Sequence, residues 1–165
     1  MIDQKIEQLI EEAFSINWNP FAKKEVSNTG KIIYIEPGTV NSNTVRKYKD
    51  ALNDFFNRHG WDNVPEDVVG DETSISISGK QVVAIWEFQY SNSHCYMNPF
   101  GIDSNLKNLP EVVEPITKWL KDYTEDDAAE IFLPKAYKNQ AAKIKGVKIN
   151  TISRYVGNIT LEIQK

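Results

Sequence analysis

The segment SISISGKQVVAIWEFQY, residues 74–90, constrains the fold more than any other stretch of this chain. Gly79 and Lys80 form a two-residue turn with glycine at its first central position, a pattern typical of a β-hairpin. A turn of this length also sets the register of the two strands. The pairs expected from it are Ser78 with Gln81, Ile77 with Val82, Ile75 with Ala84, Thr73 with Trp86, and Glu72 with Glu87.

Strand alternation over this hairpin predicts one apolar and one polar face. The predicted apolar face carries Ile75, Ile77, Val82, Ala84, Trp86 and Phe88. The predicted polar face carries Ser74, Ser76, Ser78, Gln81 and Gln89, together with Val83 and Ile85. We therefore expect the serine face to be partly hydrated, or covered by an amphipathic element.

The remaining patterns predict an α+β fold. Helical spacing of apolar residues occurs at 2–14 and 45–59, the latter stopped by Gly60, and a third helix is expected to begin at Pro115 and a fourth near Thr124. Residues 31–35 are predicted to form a strand, and Gly157 and Asn158 are predicted to form the turn of a second hairpin. The prediction is a single α+β domain over residues 1–165, with a mostly antiparallel sheet, two β-hairpins and about four helices.

Composition limits the function classes. The chain is 41% apolar and 25% charged, in the range of ordinary globular proteins. The N-terminal stretch MIDQKIEQLIEEAF has neither the pattern of a secretory signal nor that of a membrane span, so a cytoplasmic location without membrane contact is expected. The single cysteine excludes an internal disulfide, and the sequence holds no nucleotide-binding glycine motif, so no cofactor is indicated.

The neighbouring residues His94 and Cys95 suggest a nucleophile with its base. Adjacent residues on a strand point to opposite faces, however, and a cysteine motif needs partners supplied by the fold. We therefore expect a structural role for both. His59, the only other histidine, ends an apolar helical stripe.

Three carboxylates near the open end of the first hairpin form a candidate metal or acid/base site. In the predicted register Glu72 faces Glu87, with Asp71 adjacent, and like charges placed opposite each other favour a screening cation. The alternative is that the strands fray before Glu72 and the carboxylates are simply solvated.

The C-terminal section has a basic character. From Pro134 onward it carries seven basic residues and one acid, within a chain of formal net charge -4. The candidate residues for binding a partner or an anion are Lys135, Lys138, Lys143, Lys145, Lys148, Arg154 and Tyr155. Lysines with aromatic residues between them are typical of nucleic-acid contacts, although lysines late in a helix also suit its dipole. In the second hairpin Arg154 is expected to face Leu161, where it must reach the rim, be moved outward by a bulge, or meet an acid or a bound anion.

No catalytic set stands out, so the sequence favours a small cytosolic protein that binds another macromolecule without being an enzyme. Its expected partner is another protein, as for an inhibitor, an immunity-type protein or an adaptor. Two alternatives stay open: a metal-assisted phosphoryl hydrolase using Asp71, Glu72 and Glu87, and a nucleic-acid-binding module using the basic C-terminal segment.

Overall fold

The computed structural model describes residues 31–150 and 157–165. These residues form seven β-strands, four α-helices and two short 3₁₀ helices. The elements in chain order are β1 Ile32–Ile35, α1 Ser42–Lys47, α2 Lys49–Arg58, a 3₁₀ helix Pro65–Val68, β2 Thr73–Ser78, β3 Gln81–Ser91, β4 His94–Ile102, α3 Leu109–Thr124, β5 Ala128–Pro134, a 3₁₀ helix Lys135–Tyr137, α4 Lys138–Ala141, β6 Val147–Asn150 and β7 Asn158–Ile163.

The strands form one sheet in the order β1-β2-β3-β4-β5-β7-β6. Every neighbouring pair is antiparallel except β4 and β5, which run parallel. The predicted α+β class with a mostly antiparallel sheet is confirmed. The predicted helix over residues 2–14 lies outside the described residues, and the single domain over 1–165 stays a prediction.

The first hairpin forms as predicted at its turn but not at its open end. Gly79 has φ +65°, as its turn position requires, and Ser78 pairs with Gln81 and Ile77 with Val82. Beyond that point a β-bulge leaves Val83 unpaired between two ladder positions. The extra residue shifts every later pair by one, so Ile75 faces Ile85 rather than Ala84, and Ser74 faces Trp86.

Because of this shift, the predicted apolar face is divided between the two sides of the sheet. The side that we call the α3 face carries Ala84, Trp86 and Phe88 and packs under α3. The opposite side, the α2 face, carries Ile75, Ile77, Val82 and Ile85 and packs under α1 and α2.

The serine face is buried, so of the two expected alternatives it is covered by other elements and not partly hydrated. Ser74, Ser76, Ser78 and Gln81 are each at most 1% exposed. Trp86 Nε1 donates a 2.8 Å hydrogen bond to Ser76 Oγ, and Tyr34 Oη donates one of 2.9 Å to Ser74 Oγ. The hydroxyl groups thus satisfy aromatic donors that are buried against the same face.

In the middle of the chain, two elements of the structure differ from the prediction. Helix α3 begins at Leu109, so Pro115 lies inside it. The apolar stripe of Val112, Val113, Ile116 and Leu120 continues on both sides of the proline, and its burial holds the helix together despite the lost hydrogen bond. Residues 128–134 form the strand β5, not a helix, since a strand buried on both faces reads as a continuous apolar run.

The second hairpin also has a different register. Gly157 has φ +87°, but Asn158, predicted to share the turn with it, is already the first residue of β7. Leu161 pairs with Ile149 of β6 on one side and with Ile131 of β5 on the other. The predicted pairing of Leu161 with Arg154 is therefore wrong. Arg154 lies outside the described residues.

Candidate functional site

The most distinctive feature of the sheet is a gap between its two central strands. β4 and β5 pair only from His94 to Met97 and from Ala128 to Ile131. β4 then continues to Ile102 against β3 alone, and β5 continues to Pro134 against β7 alone. The two strands therefore have no ladder between them after Met97 and Ile131, and we call this unpaired stretch the slot.

A β-bulge in β4 accompanies this divergence. Pro99 pairs with Trp86 and Gly101 pairs with Ile85, so Phe100 is the extra residue. A bulge bends its strand and increases the local twist. Gly101 is required here, because an added Cβ would lie 2.3 Å from Cη2 of the Trp61 indole. The indole is thus packed directly on the bulged backbone.

Polar side chains cross the α2 face beside the slot. Asn98 Nδ2 donates a 2.7 Å hydrogen bond to Gln89 Oε1, and Gln89 Nε2 donates one of 3.0 Å to Glu87 Oε1. Glu87 lies at a cavity of about 140 Å³ that reaches the bulge. The cavity lining is Asp67, Val68, Thr73, Ile85, Trp86, Glu87 and Phe100. Its two ionisable groups are carboxylates, which favour a cationic occupant.

A histidine and a carboxylate meet on the α2 face within the paired stretch of β4 and β5, before the slot begins. Nε2 of His94 on β4 lies 2.9 Å from Oε1 of Glu130 on β5, without the alignment of a good hydrogen bond. The imidazole stacks on Tyr96 at 4.5 Å, and Tyr96 stacks on Phe132. Both ionisable side chains remain partly accessible, at 31% and 16%. Both side chains are thus partly exposed, although His94 Nε2 itself is buried against Glu130.

Cys95 does not join this pair. It packs in the core on the α3 face, 1% exposed, whereas His94 lies on the α2 face. Burial raises the pKa of the Cys95 thiol, which opposes thiolate formation. The expectation that His94 and Cys95 form no catalytic pair agrees with this geometry, but the Glu130 partner of His94 was missed because the strand β5 was predicted as a helix.

An ion network anchors the end of β4. Arg58 at the end of α2 places Nε 2.9 Å from Asp54 Oδ2 and Nη1 2.5 Å from Asp103 Oδ1, and Nη2 donates to the Val82 carbonyl at 2.7 Å. His59 Nε2 lies 3.0 Å from the same Asp103 oxygen. These side chains are largely buried, so the network is a rigid anchor for the residue that follows β4.

The open end of the slot is bridged by side chains from beyond β5. Tyr137 Oη accepts a 3.0 Å hydrogen bond from the Leu106 amide and donates one to the Asp103 carbonyl. Gln140 Oε1 accepts from the Leu109 amide at 3.1 Å, and its Nε2 donates to the Leu106 carbonyl at 2.5 Å. Burial raises the pKa of Tyr137 to about 12, so its hydroxyl keeps its proton.

The predicted carboxylate site is not assembled as expected. Glu87 faces Thr73 instead of Glu72, because of the bulge at Val83. Asp71, Glu72 and Glu87 are all exposed. Among the described residues, no group of three or more His, Cys, Asp or Glu side chains could hold a metal ion. A metal site at these three residues stays an untested prediction.

The predicted basic residues lie on several elements. Lys135 is in the second 3₁₀ helix, Lys138 in α4, Lys143 and Lys145 in the turn before β6, and Lys148 in β6. All five are exposed. Arg154 and Tyr155 lie outside the described residues, so the anion-binding role of the set stays a prediction. Within residues 31–150 and 157–165, no helix is long and apolar enough to cross a membrane.

Comparison with known proteins gives matches only among solved structures. No protein-family model and no curated protein matches the sequence. An acyl-CoA N-acyltransferase from Pseudomonas aeruginosa matches with a TM-score of 0.47 and 8% identity, over 80% of this chain and 97% of its own. Diaminobutyrate acetyltransferase EctA from Paenibacillus lautus, in complex with L-2,4-diaminobutyric acid and coenzyme A, matches with a TM-score of 0.44 and 10% identity. The match covers 82% of this chain and 95% of EctA. Campylobacter jejuni N-acetyltransferase PseH, in complex with acetyl coenzyme A, matches with a TM-score of 0.41 and 11% identity. The match covers 81% of this chain and 99% of PseH.

These proteins are enzymes, which contradicts the function predicted from the sequence. The prediction of a non-enzymatic protein that works by binding another macromolecule is therefore wrong, and the expected protein–protein interaction has no support. At identities of 8–11% and TM-scores of 0.41–0.47 the likeness assigns no role to any residue of this chain.

Proposed function

We propose that this chain is an enzyme that transfers an acyl group from a thioester of the coenzyme A type to an amine. The observation that carries the proposal is the slot between β4 and β5, which opens after Met97 and Ile131. It is flanked by two strands that each have a ladder partner on their other side, so both strands are held in place around it.

The slot suits a particular kind of ligand. Strand edges without a ladder partner present N–H and C=O groups that an extended chain can pair with, as in the binding of peptides by strand addition. The thiol arm of a coenzyme A thioester is a thin, extended chain containing two amides. Such an arm can pair with the strand edges and place its thioester at the closed end, beside the paired stretch that carries His94 and Glu130.

In this proposal, residues on the α2 face accept one of the protons that the amine loses. In the transfer the amine nitrogen bonds to the carbonyl carbon, the carbon–sulfur bond breaks, and the sulfur leaves as a thiol after taking up a proton. An amine bound as an ammonium ion must lose two protons in all, one before it attacks and one from the tetrahedral intermediate. One of them goes to the leaving sulfur, and we assign acceptance of the other to His94, directly or through water, with Glu130 positioning the imidazole. Imidazole exchanges protons near neutral pH, and a carboxylate partner stabilises its charged form.

The amine is assigned to the cavity beside the bulge. Glu87 and Asp67 at its wall attract an ammonium group, and Phe100 offers an aromatic surface. The partners in this proposal are a thioester donor and an amine acceptor, in the cytoplasmic location expected from the sequence.

The proposal is tested with acetyl coenzyme A and a panel of small primary amines and diamines. Thiol release and the mass of the N-acetylated product are measured together, which separates transfer from hydrolysis. We expect transfer to at least one cationic amine. Absence of an acylated product with every amine, or thioester hydrolysis alone, would refute the proposal.

Variants test the residue assignment. His94→Gln and Glu130→Gln are expected to lower kcat by about 100-fold and about 10-fold, in the range of a general base and its positioning partner. The control is Glu72→Gln, an exposed acid outside the pair, which should keep full activity. Equal activity in the His94 variant and the control would remove His94 from the reaction.

A further inference from the structure

We propose that the acyl donor is recognised through its amide-bearing thiol arm and not through a nucleotide diphosphate. This inference rests on the proposed function, because it concerns the ligand of the slot. A donor arm lying in the slot would carry any diphosphate out at the open end, beyond Ile102. The loop 103–108 and the start of α3 are the elements that lie there.

A helix N-terminus is the usual place for a phosphate group, because its first amides have no partner within the helix. In the first turn of α3 two of the three amides are already used or missing, which leaves that of Glu111. The Leu109 amide donates to Gln140 Oε1 at 3.1 Å and Pro110 has no N–H, whereas the Val112 amide makes the first ordinary helical bond, to the Asn108 carbonyl at 3.2 Å. The preceding Leu106 amide donates to Tyr137 Oη.

Charge at the same position also opposes an anion. Glu111 lies in the first turn of α3 and is exposed. Its carboxylate takes the place at the positive end of the helix dipole that a phosphate would need. The segment from Asp103 to Glu111 contains two acids, Asp103 and Glu111 themselves, and one cation, Lys107. It therefore offers no net positive charge.

The two side chains that bridge the open end of the slot hold the loop 103–108 in place. Tyr137 and Gln140 bind both amides and carbonyls of residues 103–109, as described above. No glycine occurs between Asp103 and Glu111, so the backbone lacks the freedom that lets glycine-rich loops wrap a phosphate. The open end of the slot therefore fits the thiol arm of the donor and does not fit its diphosphate.

Calorimetric titration of the full chain with coenzyme A, pantetheine and ADP tests the inference without relying on turnover. We expect Kd values for coenzyme A and pantetheine within about 3-fold of each other, and no ADP binding at millimolar concentration. Coenzyme A binding at least 30-fold tighter than pantetheine, or measurable ADP binding, would overturn the inference and leave the proposed function standing. If neither coenzyme A nor pantetheine binds, the proposed function itself fails.

A matched pair of variants tests whether the start of α3 contributes to the binding of a diphosphate. Glu111→Gln removes the first-turn acid, and Glu114→Gln removes an exposed acid one turn further along. We expect both variants to bind coenzyme A and pantetheine with the same ratio as the parent chain. A ratio that shifts at least 3-fold toward coenzyme A in Glu111→Gln, but not in Glu114→Gln, would contradict the inference. Rates with acetyl-pantetheine and acetyl coenzyme A should differ by less than about 5-fold.

Discussion

The two halves of β4 are held in place by different kinds of interaction. The first half, His94–Met97, has backbone ladders on both sides, with β3 and β5. The second half, Asn98–Ile102, has a ladder with β3 only. Its remaining support comes from side chains: Trp61 packed on Gly101, and Arg58 and Tyr137 on Asp103. The comparison shows how a sheet can keep an open slot in its centre without losing the strand that borders it.

The largest expected effect comes from removing the cation that anchors the second half. Arg58→Met leaves the Asp103 carboxylate without its guanidinium in a largely buried setting, so we expect a loss of about 3–5 kcal/mol in the free energy of unfolding. Urea denaturation measures it. The control is Arg46→Met, an exposed arginine bonded to Asn43, which should cost less than about 0.5 kcal/mol. A loss below about 1 kcal/mol for Arg58→Met would show that the network is not the anchor.

A smaller effect is expected at the bulge. In Gly101→Ala the new methyl group meets the Trp61 indole at 2.3 Å, and such overpacking costs about 1–3 kcal/mol. The matched control is Gly70→Ala, where the nearest atom is Thr73 Oγ1 at 3.6 Å. Equal stability of the two variants would mean that the indole moves aside without cost. Adding Trp61→Leu should recover part of the loss at Gly101.

Hydrogen exchange compares the two halves directly. Amides of the first half lie between two ladders, whereas some of those in the second half border the slot. We therefore expect exchange in residues 100–102 to be about 10-fold faster on average than in residues 95–97. Adding pantetheine should reduce that difference, since a bound arm pairs with the slot edge. Uniform protection along β4 would show that the slot is closed in solution.

The smallest expected effect concerns Tyr137 and depends on pH. Tyr137→Phe removes hydrogen bonds to the Asp103 carbonyl and the Leu106 amide, with an expected cost of about 1 kcal/mol at pH 8. The pKa of Tyr137 is raised to about 12, so its contribution is present below pH 10 and is lost as the pH rises toward 12. Stability of the two proteins should therefore converge at high pH. The control is Tyr90→Phe, at an exposed tyrosine, which should show no such convergence; a constant difference for Tyr137→Phe would contradict the prediction.

Several errors in the sequence analysis have two physical origins, a missed bulge and a strand predicted as a helix. The turn at Gly79 and Lys80 was predicted correctly, but the bulge at Val83 was not, because a bulge depends on what packs against both faces rather than on the residues of the turn. The shift placed the serines against buried aromatic donors and separated Glu72 from Glu87. The strand β5 was read as a helix, so neither the pairing with β4 nor the approach of Glu130 to His94 could be seen.

The sequence by itself determined the class of fold, the position of the turn at Gly79 and Lys80, the strand β1 and the stop of α2 at Gly60, because each depends on local conformational preference or short-range periodicity. Only the tertiary structure decided where β4 and β5 separate, which side chains bridge the open end of the slot, and which carboxylates meet a histidine. These features join residues distant along the chain, such as Arg58 with Asp103 and Gln140 with Leu109. Pairings of that kind follow from how buried surfaces fit together, and short-range patterns do not encode that fit.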